Sequence, residues 1–413
     1  MDALPGYPRP HPCLSFWLMG ARNSRLICHR TTATLPEHAD VTIISSGLSL
    51  DYGHYKKDFG KELAMKIIQN EMDTLDLMTE IIKKEGIDCD FWRGFSYAVP
   101  ADQPSAEALI EGVVERILDP EAARQATRCP KASAVYKSPA SSLWPHKLVI
   151  HLLTLCIEKH GLNLQTHTTV RAVCANSDGS WNVQTDRGVV RKGKVVYATN
   201  AFTATLLPEF LGHISLKDNA PPLLRRGAKG AQAYEDNSGL RADYMIQREQ
   251  DGLIIFGGRR GAVSLDKLLG NANDTEPYPE LSAALKKTFP AFFQGWDEQV
   301  EGEGQLHVWS GIMGYTTEGV PYVGELYDKP GAFICAGHHG HEMVCIMTCA
   351  KGLTEMIMMR GGSWASTGLP ECFQPTRERL AKPAGSCTME SSPESKGQSG
   401  IGVCSTESEY VNV

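Results

Sequence analysis

The sequence has no apolar run of the roughly 18 residues that a membrane-spanning helix needs. It has no Cys-x-x-Cys pair and no His/Cys spacing typical of a structural zinc site. Its net charge of −7 lacks the basic excess of a nucleic-acid-binding protein. These absences predict no membrane partner, no nucleic-acid partner and no metal site. Twelve cysteines scattered over 413 residues are typical of a reducing compartment, so we expect a cytoplasmic protein.

A complete dinucleotide-binding turn is also missing. The β-branched run at 39–46, ADVTIISS, indicates a first buried parallel strand, which should lead into G-x-G-x-x-G. Only Gly47 is present, and Ser45 and Leu50 occupy the outer glycine positions. An amphipathic helix over Lys61–Lys84 follows, with no second strand and no acidic residue for a ribose. The alternative interpretation is a chance glycine after a strand.

The most informative stretch that is present runs from Gly331 to Met359. A short apolar strand over 332–336 is followed by a turn rich in glycine and histidine, and apolar residues recur with helical spacing from Met343. Unpaired N–H groups and a partial positive charge at a helix start suit an anionic group. The alternative is an ordinary strand–helix unit of an α/β core.

Two clusters could serve a substrate. His338, His339 and His341 lie within four residues, but no carboxylate or cysteine is spaced to complete a metal site with them. A histidine here either orients a substrate or has a structural role. Arg259 and its neighbour Arg260 follow a predicted hairpin and could bind a carboxylate, or could form a solvated hairpin end.

Three blocks together carry a family resemblance: VVYATNAFTATLLP (195–208), WSGIMGYTTEGVPYVGE (309–325) and FICAGHHGHEMVCIMTCAKGLTEMI (333–357), supported by DGLIIFGGRR (251–260). Over about residues 36–365 the chain resembles FAD-dependent oxidoreductases of the D-amino-acid oxidase, glycine oxidase and sarcosine oxidase superfamily. It is most similar to fungal members and to bacterial gamma-glutamylputrescine oxidase. The resemblance implies a mixed α/β (α+β) fold with a Rossmann-like FAD-binding domain, incomplete here, and an antiparallel-sheet substrate domain.

The resemblance implies a discontinuous domain division. The expected parts are an N-terminal arm (1–34), a FAD-binding domain (35–85, 146–209 and 306–365) and a substrate domain (86–145 and 210–305). The Ser-, Glu- and Gly-rich composition toward the C-terminus predicts a disordered tail over 366–413.

The resemblance also implies the cofactor and the site. FAD would be bound without a covalent link, because Ile312 and Met313 lie near the position where sarcosine oxidases tether flavin through cysteine. The implied cofactor-binding residues are Gly47, Val170, Ala198, Thr199, Asn200, Gly337, His338, Gly340 and Met343. The candidate catalytic residues are His339, His341 and Arg259. The implied reaction is oxidation of a C–N bond by hydride transfer from a small amine or amino-acid substrate to the flavin.

The chain departs from the family pattern at the cofactor. About 45 to 50 residues of the usual strand–helix–strand unit are absent after Leu50. Glu342 stands where the family usually has a small glycine, and its carboxylate would oppose an anionic reduced flavin. These departures leave two hypotheses: an oxidoreductase impaired by the missing segment, or a non-catalytic remnant of one. A nicotinamide-dependent dehydrogenase is disfavoured, because no second-strand carboxylate is present.

Overall fold

The computed structural model describes residues 42–45, 52–99, 114–130, 132–219, 222–225, 231–234, 243–248, 252–258, 262–274, 276–292, 304–358 and 364–382. The helices in chain order are α1 Tyr52–Glu85, α2 Pro120–Thr127, α3 Pro145–His160, α4 Leu265–Leu268, α5 Pro279–Phe292, α6 Glu342–Met358 and α7 Arg377–Ala381. The strands are β1 Thr42–Ser45, β2 Trp92–Val99, β3 Glu115–Ile117, β4 Val135–Leu143, β5 Val170–Ala175, β6 Trp181–Thr185, β7 Gly188–Lys192, β8 Val195–Tyr197, β9 Ile214–Asn219, β10 Pro222–Arg225, β11 Ala231–Tyr234, β12 Asp243–Gln247, β13 Leu253–Gly257, β14 Gly304–Val308, β15 Gly311–Thr316, β16 Tyr322–Glu325 and β17 Ala332–Ala336.

The largest sheet has the strand order β1-β4-β2-β11-β12-β13-β10-β14, with β3 also paired to β4. All its pairs are antiparallel except β2 with β11. The predicted hairpin is confirmed as β12 and β13, with Tyr244 opposite Gly257. Such a sheet can bury one face and leave the other exposed. The assignment of 86–145 and 210–305 to a substrate domain stays a prediction.

A small sheet with the order β16-β17-β8 positions the candidate site. Strand β17 is buried at every residue, and β8 lies parallel to it with Val195 opposite Ala332. Helix α6 follows β17 and packs with α1 in one apolar cluster, which includes Ile67, Phe333 and Leu353. Because β8 and β17 are parallel, the chain segments that leave their carboxyl ends are neighbours.

The strand-like runs at 168–175, 181–185 and 192–198, separated by two turns, predict a small antiparallel meander. The structure has a meander here, β5-β6-β7, with Val170 opposite Thr185 and Trp181 opposite Lys192. The predicted third run, 192–198, is not the third strand of this meander, which is β7. The structure instead places β8 in the sheet of β17. Burial explains why β8 joins the sheet of β17, since Tyr197 of β8 packs in a core cluster with Ile334 and Phe210.

Strand β1 does not occupy its predicted place. It pairs antiparallel with β4, with Thr42 opposite Leu143 and Ser45 opposite Ala140, so its assignment to a parallel dinucleotide-binding sheet is wrong. Strand β2 also lies antiparallel to β4, on its other side. Strands β1 and β2 therefore run parallel to each other, and α1 is the crossover that joins them. Without the second strand of the dinucleotide unit, α1 leads the chain into the large sheet.

Part of the predicted tail, residues 366–382, is ordered. Residues 364–367 and 371–373 form 3₁₀ turns, and α7 follows. The side chains of Leu369 and Phe373 are buried in the cluster beneath α6, and this apolar burial orders the segment. The remaining residues of that prediction, 383–413, lie outside the described part of the chain, as does the predicted arm at 1–34. None of the described helices combines the length and the hydropathy that a membrane span requires.

Candidate functional site

The turn between β17 and α6 has a backbone that few residue types adopt. Gly337, His339 and Gly340 all have positive φ, at 72°, 56° and 84°. A Cβ atom on Gly337 would lie 2.6 Å from Cγ2 of Thr316. Glycine is therefore required at 337 both for its backbone conformation and for close packing.

Asn200 fixes this turn from the end of the neighbouring strand. Its Oδ1 accepts hydrogen bonds from the N–H groups of Gly337 (2.9 Å) and His338 (3.2 Å). Asn200 is buried and adopts φ 41°, a conformation that asparagine tolerates better than most residues. These three hydrogen-bonding atoms satisfy one another, and the roles of Asn200, Gly337 and His338 in binding a cofactor stay predictions.

His339 has a defined ring orientation. The backbone N–H of His339 donates to the carbonyl oxygen of Gly314 (2.8 Å), and the ring Nδ1 accepts from the backbone N–H of Thr316 (3.1 Å). The ring packs against Tyr315 with 4.5 Å between centroids. Since Nδ1 is an acceptor, a neutral His339 carries its ring proton on Nε2.

Two backbone N–H groups at the start of α6 are available to a ligand. Within the described residues, no acceptor bonds the N–H of Gly340 or of Met343. Gly340 is exposed and Met343 is half-buried. The first turn of a helix also carries a partial positive charge. These two groups can therefore bind an electron-rich edge of a planar ring or an anion.

Two buried carboxylates lie beside this turn. Glu342 accepts a hydrogen bond from Nδ2 of Asn200 (3.4 Å), and Glu71 of α1 lies 3.9 Å from Nδ1 of His341. Both carboxylates are almost fully buried. Sequence reasoning missed Glu71, because its 270-residue separation from His341 hides the contact that α1 creates by packing on α6.

His338 points into the core. Its Nδ1 lies 3.3 Å from Sγ of Cys345, and its Nε2 lies 3.7 Å from Sγ of Cys335. The ligand atoms of His338, Cys345 and Cys349 lie within 4.8 Å of one another, and all three residues are buried. The expectation that no cysteine is spaced to join these histidines is therefore wrong. The i, i+4 spacing of the two cysteines on a helix was the available signal.

The electrostatics of this cluster are strongly perturbed. The hydrogen bond from Cys349 lowers the pKa of Cys345 to about 5, with the positive charge of His338 adding to the effect. Burial alone would lower the pKa of His338, but the neighbouring sulfur atoms of Cys345 and Cys335 raise it well above its usual value. Burial raises the pKa of Cys349. The two groups thus shift each other's pKa in opposite directions, that of Cys345 downward and that of His338 upward.

The other predicted site residues fall into three sets. Ala198 and Thr199 follow the carboxyl end of β8 and are half-buried beside the turn, and Oγ1 of Thr199 lies 2.9 Å from Oγ1 of Thr203. Val170 begins β5, and its role in binding adenine through its backbone stays a prediction. Gly47 and Arg259 lie outside the described residues.

Comparison with known proteins agrees with this fold. The sequence model of the FAD dependent oxidoreductase (DAO) family matches residues 21–356. The chain belongs to this family. A probable oxidoreductase, OrdL, of Haemophilus influenzae is 21% identical over 327 residues, covering 76% of this chain and 72% of its own.

Two solved structures share the fold. Glycine oxidase from Geobacillus kaustophilus superposes with a TM-score of 0.65 at 16% identity, over 89% of this chain and 95% of that one. Iminodiacetate oxidase from Chelativorans sp. BNC1 gives 0.63 at 16% identity, over 88% and 96%. The mixed α/β architecture is that of these oxidases.

The described residues fit one end of FAD and not the other. The N–H groups of Gly340 and Met343 suit the carbonyl edge of a flavin ring. The strand that should lead into a phosphate-binding turn, β1, is paired with β4 in the large sheet. Within the described residues, the sheet of β17 therefore has no strand that leads into a turn for the pyrophosphate.

Proposed function

We propose that the chain is a FAD-dependent oxidoreductase that oxidises a C–N bond of a small amine or amino-acid-like substrate, with cofactor binding weakened by its incomplete dinucleotide unit. The observation that carries this proposal is the turn before α6, which Asn200 holds in place and which presents the N–H groups of Gly340 and Met343. Family membership supports FAD as the cofactor. The similar oxidases of glycine and iminodiacetate support a substrate that carries both nitrogen and carboxylate.

FAD, when bound, would accept two electrons from the substrate. The chain's own groups would orient the reactants. The Nε2–H of neutral His339 can donate a hydrogen bond, and His341 beside the buried Glu71 can hold a proton. We propose Arg259 as the partner of a substrate carboxylate, because a guanidinium binds carboxylates in a bidentate manner.

A second candidate function is a non-catalytic remnant of such an oxidase. The pairing of β1 with β4 favours it, because this pairing removes β1 from the sheet that would bind the dinucleotide. Several lost charge-assisted hydrogen bonds, at about 1.5–3 kcal/mol each, would weaken nanomolar cofactor binding to micromolar or weaker. The affinity of the chain for FAD therefore distinguishes the two candidates.

The deciding measurement is a titration of the purified full chain with FAD, followed by absorption and by quenching of flavin fluorescence. The first candidate predicts saturable binding with Kd in the micromolar range or weaker. Met343→Pro removes one N–H in the first helical turn, where proline is tolerated, and should weaken binding; Met343→Leu keeps the N–H and should not.

The same titration can support the remnant. A folded protein that binds no FAD at any concentration would overturn the enzyme proposal for this form of the chain. Circular dichroism provides the folding control. Genomic sequence between the codons for Leu50 and Gly53 would show whether coding sequence is skipped there. If FAD binds, a screen of amines and amino acids for peroxide formation tests the proposed substrate class.

A further inference from the structure

Three metal-binding side chains converge in the core behind the turn. Cys345 and Cys349 lie one helical turn apart on the buried face of α6, and His338 approaches from the turn. The Nδ1 of His338 lies 3.3 Å from Sγ of Cys345. We propose that these three residues form a binding site for a soft d10 cation, Zn²⁺ or Cu⁺, that is independent of the proposed oxidoreductase activity.

The dimensions of the cluster suit such an ion. Because the three ligand atoms lie within 4.8 Å of one another, some point lies at most about 2.8 Å from all three. Zinc–sulfur and zinc–nitrogen bonds measure about 2.3 and 2.0–2.1 Å. Small rotamer changes that contract the cluster by about half an ångström would complete the bonds. Two thiolates and one imidazole are donors that Cu⁺ and Zn²⁺ prefer over magnesium or calcium.

The second ring nitrogen of His338 also has a partner, although it is a sulfur atom and not the oxygen that metal-bound histidines usually contact. The Nε2 of His338 faces Sγ of Cys335 at 3.7 Å, on the opposite side of the ring from Cys345. This contact would hold the Nε2–H tautomer and leave Nδ1 for the ion. Thiolate and neutral imidazole are the forms that bind a metal, so binding would release protons and should weaken as the pH falls.

The test uses the full chain, first treated with a chelator and a thiol reductant and then dialysed under anaerobic conditions. Zn²⁺ and Cu⁺ are titrated in separate arms, with metal content measured by elemental analysis. Cd²⁺ is a third probe, because thiolate ligation gives it a sulfur-to-metal charge-transfer band. We expect one equivalent to bind, with the charge-transfer band present and thermal stability raised. The arm with the tighter binding identifies the ion.

Variants separate specific binding from adventitious thiol binding. Cys345→Ser and Cys349→Ser should each weaken binding by more than about 100-fold, and the outer-contact variant Cys335→Ser by about 10- to 100-fold. Cys174→Ser, at an exposed thiol on β5, should change nothing. Unchanged stoichiometry and affinity in the α6 variants would overturn the proposal, as would no binding by the folded wild-type chain. Binding should be equal with and without FAD, so its failure is distinct from failure of the oxidoreductase proposal.

Discussion

The side-chain oxygen of Asn200 lies 2.9 Å from the backbone nitrogen of Gly337. This bond joins the end of β8 to the turn that follows β17, across 137 residues of sequence. The same oxygen also accepts from His338, so one buried amide fixes the turn before α6. The link is separate from the contacts of Gly314, Thr316 and Tyr315 that orient the ring of His339.

We predict that Asn200→Ala destabilises the protein by about 2–4 kcal/mol, because two buried N–H groups lose their acceptor and each unsatisfied group costs about 1–3 kcal/mol. The alanine must also adopt the positive φ of residue 200. Urea unfolding followed by circular dichroism measures the change in the free energy of unfolding.

Asn200→Gly separates the two causes, since glycine adopts positive φ without strain. The difference in the free energy of unfolding between the alanine and glycine variants measures the cost of the positive φ. The stability that the glycine variant loses relative to wild type measures the effect of the missing acceptor. Losses below about 1 kcal/mol in both variants would contradict a central role for the amide.

A second prediction concerns the close approach of β15 to Asn200. A Cβ atom on Gly314 would lie 2.6 Å from Oδ1 of Asn200 and 2.8 Å from the backbone nitrogen of Ala201. We expect Gly314→Ala to cost about 1–3 kcal/mol, since such overpacking forces backbone shifts. Any FAD binding should weaken with it.

The matched control lies on the same strand. No atom lies within 4 Å of a Cβ built on Gly311, so Gly311→Ala should leave stability nearly unchanged. Thermal unfolding of both variants measures the difference. Equal melting temperatures would show that β15 and the Asn200 segment can move apart at little cost.

Local patterns predicted several elements of this fold and missed others. The periodicity of 332–358 predicted β17 and α6, and a Glu-Gln-Asp-Gly turn predicted the β12–β13 hairpin. Both patterns are local, because the residues that form each one are close together in sequence. Strand β1 was recognised, but its partner β4 was not. The residues of a strand predict which of its faces is buried, but they do not predict which of two sheets the strand joins.

Side-chain contacts in the site were harder to predict. The pairing of Asn200 with Gly337 and of His341 with Glu71 depends on packing across more than 130 residues of sequence. The grouping of His338 with Cys345 was closer to prediction, because the two residues lie seven positions apart. The turn geometry that directs the imidazole inward was the missing information.

The last prediction concerns the C-terminal segment. The guanidinium of Arg379 is buried, donates to the carbonyl oxygens of Val320 and Pro321 (2.9 and 2.8 Å), and pairs with Glu318. It also stacks on Tyr322, 3.5 Å from the ring centroid. Glu318 is paired with Lys382 as well. This network attaches α7 to the loop before β16.

Burial alone would raise the pKa of Glu318, but the charges and hydrogen bonds of Arg379 and Lys382 lower it below its usual value. A carboxyl whose pKa is lower in the folded state stabilises the protein fully above its unfolded pKa, about 4.3, and this stabilisation is lost as the pH falls through the folded value. Glu318→Gln should therefore lower stability at pH 7 and reduce the fall in stability between pH 7 and pH 3. Urea unfolding at both pH values tests it.

The control is Glu371→Gln, which removes an exposed pair with Lys66. Exposed pairs contribute little because water screens them, so this variant should follow the wild-type pH dependence closely. If Glu318→Gln also follows the wild-type profile, the carboxylate is not what attaches α7. The hydrogen bonds from Arg379 to the two carbonyls would then be sufficient, and Arg379→Lys, which cannot form both in the same geometry, should release the segment to proteolysis.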